Sequence, residues 1–195
     1  VIRFEPVPKP AEFDTRAGTP GTTWLAQNVA PIRPTDLWSP FRAHLADGFR
    51  NLCGYTAMHT PNGTVDHFVS CDEDRSKAYD WSNYRFAAGW INSSKQNLKS
   101  SEIFDPFAVQ NGWFEIILPS LQLVASSTLP EAERDRAAFV LRRLHLGHDE
   151  RVLRQRREWY RMYQDGELTL VGLRKKAPMI AAAVEKHATV SGTAP

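Results

Sequence analysis

Thr64-Val65-Asp66-His67-Phe68-Val69, Tyr79-Asp80-Trp81-Ser82-Asn83-Tyr84-Arg85-Phe86-Ala87 and Asn92-Ser93-Ser94-Lys95 are the three runs whose reading decides the fold. The first follows Asn62-Gly63, a good turn pair, and its β-branched and aromatic content predicts a strand over 64–69. Residues 84–88 alternate aromatic and polar, which predicts a second strand. Residues 70–82 between them read as a charged, irregular loop. After Gly89, the polar stretch 90–98 predicts a short exposed helix. The expected class is α+β.

Phosphodiester hydrolysis needs an activated water and a stabilised phosphate. A histidine titrating near neutrality can take the water proton, and a hard cation can neutralise the developing charge. Magnesium prefers oxygen ligands and keeps several waters, so one carboxylate and one side-chain amide can hold it. Neighbours on a strand point to opposite faces. Asp66 and His67 can therefore serve one centre only where the strand ends or bends. Asn83, on the second strand, can fix the histidine loop through its amide. The following helix can return Asn92 to the metal and present Lys95, one turn later, to a phosphate. A lone histidine at a strand end is ordinarily just a hydrogen-bonded histidine; it is the order of all three groups that argues for a site.

These runs resemble the HNH endonuclease family over residues 53–97. They look most like the bacterial HNH proteins of anti-phage defence systems such as Septu, in which the nuclease works with an ATPase partner. A weaker similarity runs through Asp105-Pro106-Phe107 and the Arg-rich helices. The resemblance implies a ββα-metal core, with His67 as the catalytic base, Asp66 and Asn92 as ligands of Mg2+ (or Mn2+), and Asn83 orienting the histidine loop. DNA is the implied substrate. Asparagine rather than histidine at position 92 suits magnesium or manganese over softer metals. Many relatives carry two Cys-x-x-Cys pairs, which would fall on Cys53 and Thr56 and on Ala88 and Ile91. Only Cys53 remains, so no structural zinc is expected, and Ala88 and Ile91 suggest apolar packing instead. That loss supports a competing expectation, a catalytically inactive HNH-like module that binds nucleic acid or scaffolds a complex.

The remaining sequence sets the periphery. Its 195 residues carry a formal net charge of +2, which is uninformative by itself. Residues 1–40 hold prolines 6, 8, 10, 20, 31, 34 and 40 and predict an extended arm laid against the domain. Residues 41–125 form the expected core, with Phe41, Leu45, Phe49 and Leu52 predicting a helix over 40–51. Residues 118–124 read as a strand. Residues 126–195 are expected to be an Arg-rich helical region packed on the core. A capping box at Thr128 and Glu131 predicts a helix over 130–144, and further helices follow over 149–164 and 176–186, with the last nine residues frayed. Arg154, Arg157 and Arg161 recur at helical spacing as a candidate phosphate track. Glu150 and Glu158 favour equally a solvated, ion-paired helix. Asp72, Glu73 and Asp74 read as a solvated loop, Asp80 as a turn or cap residue, and His145, His148 and Asp149 as helix-end residues despite metal-like spacing. Two cysteines make no disulfide framework, no long apolar run spans a membrane, and the opening residues lack an apolar signal core; a reducing cytoplasm is the expected compartment.

Overall fold

The computed structural model describes residues 1–30 and 32–191. In chain order its elements are α1 (Thr19–Gln27), α2 (Arg42–Gly48), β1 (Thr64–His67), β2 (Tyr84–Ala87), α3 (Gly89–Lys95), β3 (Phe114–Ile117), β4 (Gln122–Ala125), α4 (Arg134–Arg143), α5 (Glu150–Gln164), α6 (Leu170–Lys176) and α7 (Pro178–Ser191). The class is α+β, with two separate antiparallel strand pairs.

The β1–β2 register is Thr64↔Ala87, Val65↔Phe86, Asp66↔Arg85 and His67↔Tyr84. Paired residues share a face, so Val65, His67, Tyr84 and Phe86 look one way and Thr64, Asp66, Arg85 and Ala87 the other. The first face meets an aromatic cluster that includes Phe13, Phe41, Phe49 and Trp81. Phe13 lies edge-on to Trp81 and to Tyr84, at ring-centre distances of 5.1 and 5.8 Å. The second face meets a larger apolar cluster in which Ala87 and Ile91 join Val140, Val152, Leu173 and Ile180 of the C-terminal helices. With cores on both sides, every residue of β2 is buried.

The positions that the resemblance aligns with zinc-clip cysteines are packed. Cys53, Ala88 and Ile91 belong to the same apolar cluster, and Thr56 is buried beside them in sequence. The turn from Cys53 to Met58 closes on itself: the Cys53 N–H donates to the Met58 carbonyl at 2.9 Å and the Ala57 N–H to the Cys53 carbonyl at 2.8 Å. The Gly54 N–H donates to the Phe86 carbonyl at 2.8 Å and ties this turn to β2.

The N-terminal arm departs from expectation. Residues 1–10 are irregular and packed, with Phe4 and Val7 buried in the aromatic cluster. A π-wound turn (Asp14–Gly18) then runs into α1. Between Pro10 and Pro31 stands only Pro20, and it falls in the first turn of α1, where its missing N–H is tolerated. Helix α1 docks closely: a Cβ on Gly21 would meet the Tyr79 ring at 2.2 Å.

Other boundaries shift for local reasons. Of the expected strand over 118–124 only 122–124 are strand, in β4; 118–121 form the turn after β3, with Pro119 breaking the run and Leu121 at φ 59°. The Thr128 hydroxyl donates to the Gly112 carbonyl at 2.9 Å and makes no capping box, and α4 begins later, at Arg134. The expected helix over 176–186 is α7, which starts at Pro178; a further helix, α6, precedes it where none was expected, and the two part at Ala177 because proline pushes its predecessor out of helical geometry. Residues 187–191, expected to fray, continue α7, while 192–195 lie outside the described residues. Asp149 does cap α5, accepting from the Arg151 N–H at 3.0 Å, and Gly166 at φ 74° follows its end.

If Ile91 packs as a substitute for a metal clip, Ile91→Ala should be severe. Its side chain is fully buried, so a loss of about 2–5 kcal/mol is expected in chemical denaturation.

Candidate active site at the end of the hairpin

Strand β1 ends at His67, and there residues from its two faces come together. Asp66, His67 and Asn92 line one open cavity of about 850 Å³, with Trp38, Arg33, Ser70, Cys71, Asp72 and Arg75 among its other walls.

The loop after β1 is fixed by Asn83. Its Oδ1 accepts from the Val69 N–H at 2.8 Å, and its Nδ2 donates to the Val69 carbonyl at 2.9 Å and to the Lys77 carbonyl at 3.1 Å. One buried amide thus brackets the backbone two residues after His67 and also holds the far side of the loop. The local sequence makes this possible. Asp80 caps the turn carrying Asn83 by accepting from the Ser82 N–H, and Asp74 caps the preceding turn through Ser76. Asp80 is therefore a cap, as expected.

His67 has its Nε2 at 2.8 Å from the Ala78 carbonyl. A carbonyl can only accept, so Nε2 carries the proton and the lone pair of the neutral ring lies on Nδ1. Trp38 stands edge-on to the imidazole at 4.5 Å and Tyr84 at 5.0 Å. Burial holds the His67 pKa below the ordinary histidine value, although the Ala78 carbonyl and the Asp66 charge pull upward. With Nε2–H committed to that carbonyl, Nδ1 is the ring's proton acceptor.

Asp66 is almost completely buried, with both oxygens engaged. Tyr55 donates its hydroxyl to Oδ2 at 2.6 Å. Lys95 donates to Oδ1 at 3.0 Å and to the His67 carbonyl at 2.5 Å. Burial, then the Asp66 charge, pushes the Tyr55 pKa well up, so this phenol stays a donor. Asn92, one turn before Lys95 on α3, donates Nδ2 to Thr64 Oγ1 and to the Val65 carbonyl, both at 3.2 Å. These acceptors fix the orientation of the amide and leave Oδ1 as its disengaged end. An oxygen-only pair of one carboxylate and one amide fits a hard cation that keeps most of its own waters. Among the described residues, no group of three His, Cys, Asp or Glu offers a fuller metal cage.

Of the four residues expected to contact nucleic acid, one is buried and two are ion-paired. Lys95 does not face a phosphate: only 1% of its side chain is exposed, because the face of α3 that carries Asn92 to β1 carries Lys95 inward as well. Arg157 pairs with Glu150 at 2.7 Å, and Arg161 pairs with Glu158 at 3.0 Å and Asp165 at 2.7 Å. Arg154 stands one helical turn before Glu158 and helps hold that carboxyl below its ordinary range, after the larger effect of Arg161. On that helix face Arg157 and Arg161 are thus ion-paired with acidic neighbours. The cavity's own cations, Arg33 and Arg75, escaped the sequence reading because nothing in a proline-rich arm or an irregular loop signals where it docks. Arg75 donates to the Asn28 carbonyl at 2.8 Å and lies over Trp24, and its Nε is buried with no partner among the described residues. Tyr55 was likewise missed; no local pattern marks it as the donor to Asp66.

No protein-family model matches the chain, and no curated protein matches it significantly.

Asn83→Ala should leave the Val69 N–H without its acceptor. A lost buried hydrogen bond costs about 1–3 kcal/mol, so amide exchange at Val69 is expected to quicken by roughly one to two orders of magnitude. Unchanged protection would show that the loop holds itself.

Proposed function

We propose that the chain is a divalent-metal-dependent endonuclease of the HNH type that hydrolyses DNA phosphodiester bonds. One observation carries the reading: a histidine whose Nε2 rests on a backbone carbonyl, an aspartate and an asparagine line one cavity, beside a loop bracketed by a second asparagine. The order of these residues along the chain is that of the resemblance over 53–97.

Asp66 and Asn92 would hold Mg2+ or Mn2+ through oxygen. Bound there, the ion would neutralise charge building on the phosphate and the leaving 3′ oxygen. The chain's own residues supply the remainder. His67 accepts the proton of the attacking water at Nδ1 while its Nε2–H stays on the Ala78 carbonyl, so the imidazolium forms without turning. The water oxygen bonds to phosphorus, the P–O3′ bond breaks, and the 3′ oxygen is protonated from solvent. Trp38 and Tyr84 restrict the ring edge-on. Arg33 and Arg75 are the cavity's phosphate contacts. Extension to an anti-phage effector that works beside an ATPase rests on the resemblance alone. No described helix is long and apolar enough to cross a membrane.

Plasmid nicking with Mg2+ or Mn2+ tests the reading. His67→Ala should slow cleavage by about 10²–10⁴-fold. Cleavage at full rate in the variant contradicts the assignment of the base, and an inactive wild type, with or without candidate partners, favours the non-cutting module. A parallel RNA substrate decides between the two nucleic acids.

Salt dependence of DNA binding locates the phosphate contacts. Each lost contact removes about 0.9 from the slope of log K against log salt. Replacing Arg33 and Arg75 with alanine should flatten the slope by about 2. The Arg154, Arg157 and Arg161 triple replacement should leave it unchanged, and the opposite pattern would return the track to α5.

A further inference from the structure

The Lys95 ammonium sits where the proposed site requires a metal ion. It lies 3.0 Å from Asp66 Oδ1 and 2.5 Å from the His67 carbonyl oxygen. Side-chain exposure is 1% for Lys95 and 2% for Asp66. Tyr55 holds the second carboxylate oxygen. The carboxylate proposed as metal ligand therefore faces a full positive charge inside the protein, where solvent screening is weak. A divalent ion approaching that oxygen meets both a competitor for its ligand and a like charge beside it.

We propose that Lys95 is a built-in counter-cation for Asp66 that a divalent metal ion must displace. The inference rests on the metal reading above and adds a regulatory consequence. Without metal, the ammonium neutralises the buried carboxylate and staples α3 to the end of β1. Metal entry requires the ammonium to find another anion. Asp66 is the only carboxylate to which Lys95 is paired among the described residues. A substrate phosphate brought into the adjoining cavity supplies that anion. Metal loading is then weak alone and strengthened by nucleic acid, because the substrate rehouses the displaced lysine. By linkage, the metal strengthens substrate binding by the same factor.

Mn2+ binding to the full chain, followed by the electron paramagnetic resonance of the free ion without nucleic acid, tests this. Lys95→Met should bind Mn2+ at least about tenfold more tightly than wild type, a difference of about 1.4 kcal/mol. Asp66→Asn should bind in neither background. If wild type binds Mn2+ through Asp66 and Lys95→Met binds no better, the counter-cation idea fails while the metal site stands. If neither protein binds at millimolar Mn2+, the metal reading fails and this inference with it. Should Lys95→Met not fold, wild type alone decides: the protected Lys95 ammonium resonance in nitrogen-detected NMR should disappear on saturation with diamagnetic Mg2+. Persistence of that signal at saturation overturns the proposal.

Discussion

The pairing of β1 with β2, stopped at His67 and held there by Asn83, is the constraint on which the site depends. Side chains alternate along a strand, so a one-residue slip would exchange the faces of Asp66 and His67 and separate each from its partners. Two features prevent the slip. Tyr84 and Phe86 are committed to the aromatic cluster, and the Asn83 amide grips both backbone groups of Val69. Because the strand ends immediately, an alternation that would keep two neighbours apart instead delivers them to one cavity.

The buried charges show how closely the site is bound to stability. Arg85 pairs bidentately with Asp105 at 2.7 Å for both contacts, donates to the Ser82 and Tyr84 carbonyls, and stacks over Phe107 at 3.8 Å. That set of partners takes up four of the five guanidinium N–H groups and fixes the start of β2. Asp66 is different, since it relies on one ammonium and one hydroxyl. Removing a partner from a buried pair typically costs about 3–5 kcal/mol, so the site holds a charge it cannot leave uncompensated. A lysine there satisfies the carboxylate in the absence of any ion. Arg156, buried on α5 without a carboxylate, donates to the Leu121, Leu146 and Gly147 carbonyls and locks the β3–β4 turn to the C-terminal helices. Burial alone lowers its pKa, to about 10.

What the sequence revealed followed from local chemistry. The turn pair before Thr64, the alternation at Tyr84 and Phe86, and the Asp149 and Gly166 signals around α5 each act within a few residues, and each matches the observed elements. The grouping of Asp66, His67 and Asn92 was legible because a hairpin and a following helix leave few ways to place them. What stayed hidden is long-range. The helix in the proline-rich arm depends on Gly21 meeting Tyr79, and the cavity wall depends on where Arg33 docks. Helical spacing correctly put Lys95 on the face of Asn92, but it could not say that this face turns inward. The arginine periodicity on α5 was equally compatible with phosphates or with neighbouring glutamates, and in the structure Arg157 and Arg161 pair with glutamates.

The account stands on a single centre shared by imidazole, carboxylate and amide. Anomalous diffraction from a crystal of the protein with a short DNA duplex and Mn2+ tests it most directly. The expected result is a manganese peak in contact with the Asp66 and Asn92 side-chain oxygens, with a DNA phosphate beside it and His67 Nδ1 facing that phosphate. A peak elsewhere on the chain, or DNA bound with no ion between Asp66 and Asn92, would contradict it.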